Sequence, residues 1–200
     1  MGLREHGRSE EKVRASTMAK IKDHAYETVH WRLEKRSRDL LEYQEKHAGE
    51  GSIEELRTRF MDEVKPFEVI EFEGNLMMNV GINVMLDLLM GAAGTVFSNA
   101  NAYLGVGDSA AAAAAAQTDL QAGVNKTYVG MNGGFPVVGT TAITFQSDFT
   151  AALGNYAWEE CATFNGNNPP VAAMLNRKVQ PLGTKAVGAT WTLSMAITIS

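Results

Sequence analysis

The C-terminal stretch Thr190-Trp-Thr-Leu-Ser-Met-Ala-Ile-Thr-Ile199 alternates apolar side chains with small or polar ones. Because successive side chains of a β-strand point to opposite faces of its sheet, this period of two residues predicts a strand with one buried face. The side chains predicted to share the buried face are Trp191, Leu193, Met195, Ile197 and Ile199.

Working back from this stretch, further short apolar segments are separated by turns rich in glycine and asparagine, such as Asn132-Gly-Gly134 and Leu153-Gly-Asn155. Several short strands joined by such turns favour an antiparallel β-sandwich or a barrel-like body, so the predicted fold class is mainly β. The candidate strands are residues 67–72, 102–106, 126–131, 142–149, 156–164, 174–179 and 190–199.

One helix is predicted inside this body, over residues 76–90, with Asn75 as its N-cap and Gly91 as its end. Because its few polar side chains form a single stripe, the rest of the helix is expected to be buried, against a sheet or a neighbouring subunit. The polar side chains, at positions i, i+4 and i+8, are Asn79, Asn83 and Asp87.

Charge divides the chain near Glu73. Lys, Arg, Asp and Glu make up 31 of the first 73 residues but only 10 of the following 127. An abrupt shift of this kind indicates two units, which we place at residues 1–66, a charged helical arm, and at residues 67–200, the β-rich body.

Two helices are predicted in the arm, over residues of about 9–48 and 53–64, the second opened by the capping box Ser52-Ile-Glu-Glu55. A long helix with one thin apolar stripe cannot form its own core, so we expect this stripe to bind a partner. The stripe consists of Met18, Ile21, Ala25, Val29, Leu33, Leu40 and Tyr43.

Composition excludes several classes of function. The net charge of −5 is unlike that of a nucleic-acid-binding chain, no apolar run is long enough to span a bilayer, and the start resembles no secretory signal. The single cysteine, Cys161, excludes an internal disulfide framework, and we predict that it is a small buried strand residue. We therefore expect no nucleic-acid and no membrane partner.

No constellation of catalytic residues is evident. The β-rich body contains no histidine, and its carboxylates are scattered, so we expect no catalytic residue, metal or cofactor. Asp148 with Glu159 or Glu160 is the pair to test for a glycan-degrading enzyme. Gly105-Val-Gly-Asp-Ser109 lacks the lysine of a phosphate-binding loop, which favours a strand and a turn. We assign the aromatic side chains Trp158, Phe164 and Trp191 to the core.

Several sequence blocks lie between residues 68 and 200, and some of them are longer than a chance motif. The blocks are Gly74-Asn-Leu-Met-Met-Asn-Val-Gly-Ile82, Asn99-Ala-Asn-Ala-Tyr-Leu-Gly-Val-Gly-Asp-Ser109, Gln117-Thr-Asp-Leu-Gln121, Tyr156-Ala-Trp-Glu-Glu160, Leu175-Asn-Arg-Lys-Val179, Leu182-Gly-Thr-Lys185 and Thr190-Trp-Thr-Leu193. Together they resemble a group of tailed-bacteriophage virion proteins. The resemblance does not extend to the arm, and it implies a non-enzymatic structural component of the phage particle, located in the virion.

The specific hypothesis is a capsid decoration, or cement, protein whose helical arm binds the major capsid protein or other virion subunits. Self-association as a homo-oligomer, for example a trimer, is a further expectation. The alternative is a tail appendage, baseplate or tail-fibre component.

Overall fold

The computed structural model describes residues 27–200. They form ten strands and three helices in this part of the chain, and every strand pairing is antiparallel. In chain order the elements are β1 (Glu27–Arg36), α1 (Leu40–Lys46), α2 (Ile53–Glu63), β2 (Glu68–Glu73), β3 (Leu76–Met77), α3 (Asn79–Leu89), β4 (Tyr103–Gly107), β5 (Lys126–Gly130), β6 (Val137–Val138), β7 (Ala142–Phe149), β8 (Ala157–Phe164), β9 (Met174–Thr184) and β10 (Thr190–Ile199).

The strands form two five-stranded sheets. Sheet I has the order β2-β1-β10-β7-β6, and sheet II has the order β3-β9-β8-β4-β5. One core of buried apolar residues lies between them, drawn from alternate positions of strands in both sheets. The predicted mainly β, antiparallel class is confirmed.

Aromatic side chains fill the centre of this core. The ring of Trp158 from sheet II lies between Phe149 and Trp191 from sheet I, with edge-to-face contacts at centroid distances of 4.7 and 4.9 Å. Such contacts add to the large apolar area that each ring buries. Trp158 and Trp191 are therefore core residues, as predicted, and Phe164 is buried on the other side of sheet II.

Strand β1 replaces ten residues of the predicted long helix, whereas α1 lies within the predicted range. Val29, Trp31 and Leu33 are buried in the core and alternate with more exposed residues, and β1 lies between β2 and β10 in sheet I. The predicted helix over residues 9–48 is wrong for residues 27–36, because period-two alternation buries this segment against a sheet. Residues 9–26 of that helix lie outside the described residues.

Helices α1 and α2 form a hairpin whose small core contains Leu40, Tyr43, Phe60 and Val64. The capping box of the second predicted helix is present in α2, since Ser52 and Glu55 bond reciprocally. The helix predicted over 53–64 is confirmed. The division at residue 66 does not follow the sheets, because β1 belongs to the same sheet as β2 and β10.

The predicted strands are all present, with β9 extending to Thr184, whereas the short strands β3 and β6 were not predicted. The helix predicted over 76–90 begins later, at Asn79. Its N-cap is Met78 rather than Asn75, because residues 76 and 77 pair with β9. Gly91 follows the helix with φ +72, a conformation that glycine adopts without strain.

Two buried threonines differ in hydrogen bonding. Thr163 Oγ1 in β8 has no partner among the residues that the structure describes, whereas Thr192 Oγ1 in β10 donates to Asp148 Oδ1 at 2.7 Å. A buried polar atom without a partner destabilises a fold, and a satisfied one stabilises it.

We therefore expect Thr163→Val to raise the free energy of unfolding by about 1 kcal/mol and Thr192→Val to lower it by about 1 to 2 kcal/mol. Both substitutions keep the branched shape, so each variant controls for the other. Urea denaturation followed by circular dichroism measures both, and equal losses of stability would contradict the hydrogen-bond assignment.

Candidate functional site

The first turn of α3 is held tightly to sheet II. Met78 is fully buried, and its N–H donates to Leu175 O at 3.0 Å, while the N–H of Asn79 donates to Ala115 O at 2.9 Å. Gly81 lies directly on β9, where an added Cβ would approach Leu175 Cα to 2.5 Å. A glycine is required at this position because no side chain fits between helix and strand.

Apart from Gly81, the side chains of α3 lie on a partly covered side or on an exposed side of the helix. Val80, Val84 and Leu88 are half-buried. The opposite side is apolar and exposed, and we call it the α3 outer face. It consists of Ile82 (39% exposed), Met85 (42%), Leu86 (53%), Leu89 (83%) and Met90 (84%).

The expectation of a helix buried within the body is therefore wrong for the part of the chain that the structure describes, residues 27–200. Gly81 is the one buried residue of α3, because β9 covers only a single side of the helix. Asn79, Asn83 and Asp87 lie exposed beside the α3 outer face. Burial against a neighbouring subunit, the other expected arrangement, stays a prediction.

The residues of the predicted arm stripe do not form one surface. Val29 and Leu33 are buried between the sheets, whereas Leu40 and Tyr43 are buried in the α1–α2 hairpin. The structure thus brings each pair into an internal core and not onto a face that could bind a partner. Met18, Ile21 and Ala25 lie outside the described residues.

A fully buried ion pair joins β8 and β9 on the outer side of sheet II. Glu160 accepts from Arg177 Nε at 2.6 Å, and both side chains are inaccessible to solvent. The remaining hydrogen bonds of this carboxylate come from the N–H groups of Gln121, at 3.0 Å, and Ala122, at 2.8 Å. Glu160 therefore fixes a long loop to the sheet.

Arg177 holds the same loop at two further points. Its guanidinium donates to Gln117 Oε1 at 3.1 Å and to Ala111 O at 2.9 Å. Gly107 leaves the space for Glu160, since an added Cβ would lie 2.5 Å from Glu160 Oε1. The glycines of the 105–109 segment thus belong to a strand that makes room for side chains, which confirms the strand interpretation.

Asp148 lies on the outer side of sheet I. It accepts from Arg57 Nε of α2 at 2.6 Å and from Thr192 at 2.7 Å. Asp148 is therefore separated from Glu160 by the whole core between the two sheets, and Glu159 is half-buried in the sheet II strand that holds Glu160. These carboxylates cannot flank one glycosidic bond, and the candidate pair is wrong.

Cys161 is buried in β8, as predicted, and burial raises the pKa of its thiol. Burial, followed by a hydrogen bond to Asp119, likewise raises the pKa of Tyr128. Both shifts favour the neutral form, so neither group is activated for nucleophilic or acid–base chemistry at neutral pH.

Within residues 27–200, no group of three or more His, Cys, Asp or Glu side chains is arranged to hold a metal ion. No helix in this part of the chain is long and apolar enough to cross a membrane.

The most prominent surface feature of the described residues is thus the α3 outer face, an exposed apolar surface on a helix that is anchored to sheet II. Compared with protein-family models, with curated proteins and with solved structures, the chain gives no match.

Lys185 is a buried ammonium group that does not form an ion pair in the described part of the chain. Its Nζ donates to Thr150 O at 2.8 Å and to Asn155 Oδ1 at 2.9 Å. Burial lowers the pKa of Lys185 to about 8, against the opposing effect of the Asp39 charge. Between pH 8 and 10.5 the unfolded chain therefore binds more protons at this position than the folded one.

We expect the stability of the wild type relative to Lys185→Met to rise with pH across this window, by at most about 1.4 kcal/mol per pH unit. The raised pKa of Tyr156, about 12, reduces stability above pH 10 in both proteins and cancels in the difference. Thermal denaturation from pH 7 to 10.5 measures this difference. A difference that is independent of pH would contradict the pKa assignment.

Breaking the Glu160–Arg177 pair should be costly because it leaves a buried guanidinium without its counter-charge. We expect Glu160→Gln to lower the free energy of unfolding by about 3 to 5 kcal/mol. The neighbouring Glu159→Gln is the matched control and should change it by less than about 0.5 kcal/mol. Urea titrations of both variants test this, and equal midpoints would overturn the assigned role of the pair.

Proposed function

We propose that this chain is a structural subunit of the tailed-bacteriophage particle, most specifically a capsid decoration protein, and that it has no enzymatic activity. Decoration requires a stable body with a surface that other subunits of the shell can cover. The single observation that carries the proposal is the α3 outer face, an exposed apolar surface on a firmly anchored helix.

The α3 outer face is a large apolar patch for a single helix. The exposed parts of its five side chains amount to on the order of 600 Å², the upper end of the range for the largest patch on a typical monomer. Patches of this size are often functional, and larger ones mark sites of protein–protein contact.

The sequence blocks that resemble phage virion proteins coincide with the parts that build and hold this surface. They include the β3–α3 segment with Gly81, strand β4 with Gly107, and the two residues of the buried ion pair. This coincidence supports the proposal because the resemblance then covers the strands and the ion pair that hold α3 at the surface.

Attachment to the shell through the predicted arm stripe is not supported for its described residues, since these fill internal cores. We therefore assign the contact with neighbouring virion subunits to the α3 outer face. Burying apolar surface contributes about 25 cal/mol per Å², and many copies on one shell multiply a modest contact.

The test is the copy number and position of the chain in intact particles, measured by cryo-EM averaging and by quantitative mass spectrometry against the major capsid protein. We expect hundreds of copies on the head. A few or a few dozen copies confined to the tail would replace this proposal by the tail appendage, baseplate or tail-fibre alternative.

Surface variants link the location to the helix. We expect particles assembled with Leu89→Glu to carry at least about tenfold fewer copies, because a charge is then buried at the contact. Val171→Glu is the matched control, since Val171 is 84% exposed and Leu89 is 83% exposed. Equal occupancy of both variants would show that α3 makes no contact in the particle.

A further inference from the structure

The side chains of the α3 outer face are spaced for contact with another helix. Ile82, Met85, Leu86 and Leu89 stand at positions i, i+3, i+4 and i+7, so they form one continuous stripe along about two turns of the helix. A stripe of this kind is how an amphipathic helix packs against a helical or groove-shaped partner. The geometry therefore favours an apolar helix as the occupant.

The lack of charge around the α3 outer face limits which partner can bind to it. Asp87 is the only charged residue between positions 74 and 107, so the stripe offers no ion pair to a charged partner. A partner surface must itself be uncharged and apolar, or its charges would lose their hydration without compensation. The α3 outer face of another copy meets both conditions and has the same length.

The exposed area of the α3 outer face is consistent with a second copy of the chain as its partner. About 600 Å² exposed on each copy approaches the roughly 800 Å² that each partner contributes to a standard interface. Two such faces in full contact bury about 1,200 Å² in total, the lower end of the range for specific protein–protein interfaces.

We propose that the α3 outer face binds the α3 outer face of a second copy of this chain, in an antiparallel two-fold pair. The inference rests on the proposed role of this face in assembly and names its partner. In such a pair, Met85 and Leu86 lie at the axis, and Ile82 of each copy packs beside Leu89 of the other.

The antiparallel direction follows from the helix dipoles. In a parallel pair the like ends of the two dipoles would lie side by side and repel, whereas in an antiparallel pair the positive end of each helix lies beside the negative end of the other.

The first experiment is the mass of the purified full-length chain in solution, by sedimentation velocity at roughly 100 µM, above the micromolar upper end of Kd for interfaces of this size. We expect twice 21.7 kDa. Leu86→Glu should raise the dimer Kd by roughly 100-fold or more, because each dimer carries the substitution twice. Val171→Glu should leave it unchanged.

Charge complementation makes the test specific to a contact between two copies of α3. Leu86→Glu and Leu86→Lys should each be monomeric alone and should form a heterodimer when mixed, since the two side chains face each other at the axis. Leu86 is 53% exposed, so either charge is tolerated by the folded chain, and circular dichroism confirms folding.

A single-copy mass for the wild type would overturn the inference, as would a mixture of the two variants that stays monomeric. Coverage of α3 by residues 1–26 of the same chain, or by a different virion protein, would give the single-copy mass. The dimer is tested on the purified chain in solution, and the proposed function is tested on intact particles. Each assay is carried out without the other, so failure of this inference can be distinguished from failure of the proposed function.

Discussion

The buried ion pair of Glu160 and Arg177 is the interaction on which the presentation of α3 depends. Both charges are withdrawn from water, so the fold must satisfy every remaining donor and acceptor around them. It does so with groups of the loop between β4 and β5, which brings Ala115 over sheet II. The carbonyl of Ala115 then accepts the N–H of Asn79, the first residue of α3. One ion pair thereby fixes a loop, and the loop fixes the start of the helix.

Sheet I is also covered by a segment that polar side chains hold in place. On sheet I, Arg57 from α2 reaches Asp148, and Arg36 donates to the carbonyl of Val64 at the end of the same helix. In both sheets a polar group of a strand therefore holds a covering segment. The carboxylates Asp148 and Glu160 thus hold covering segments in position. Among the described residues, the apolar side of α3 faces solvent.

Composition and fold divide the chain at different places. The change in charge near Glu73 is real, but it marks where charged outer surfaces give way to a charge-poor part, not where an arm ends. Strand β1 shows why: His30, Arg32 and Glu34 face outward, while Val29, Trp31 and Leu33 enter the core. A segment can be rich in charge and still supply a central strand, because a strand exposes every second side chain.

The sequence by itself determined the mainly β class, strand β2, the strands from β4 to β10 apart from the two-residue β6, and the capping box of α2, because these depend on local periodicity and hydrogen bonds. It also showed an apolar helix near residues 76–90. Only the tertiary structure decided that β1 is a strand, that Asp148 and Glu160 lie on opposite sides of the core, and that residues 27–200 cover α3 on one side alone. These outcomes depend on which segments meet in space. A residue pattern can show that a surface is apolar, but not whether another part of the chain reaches it.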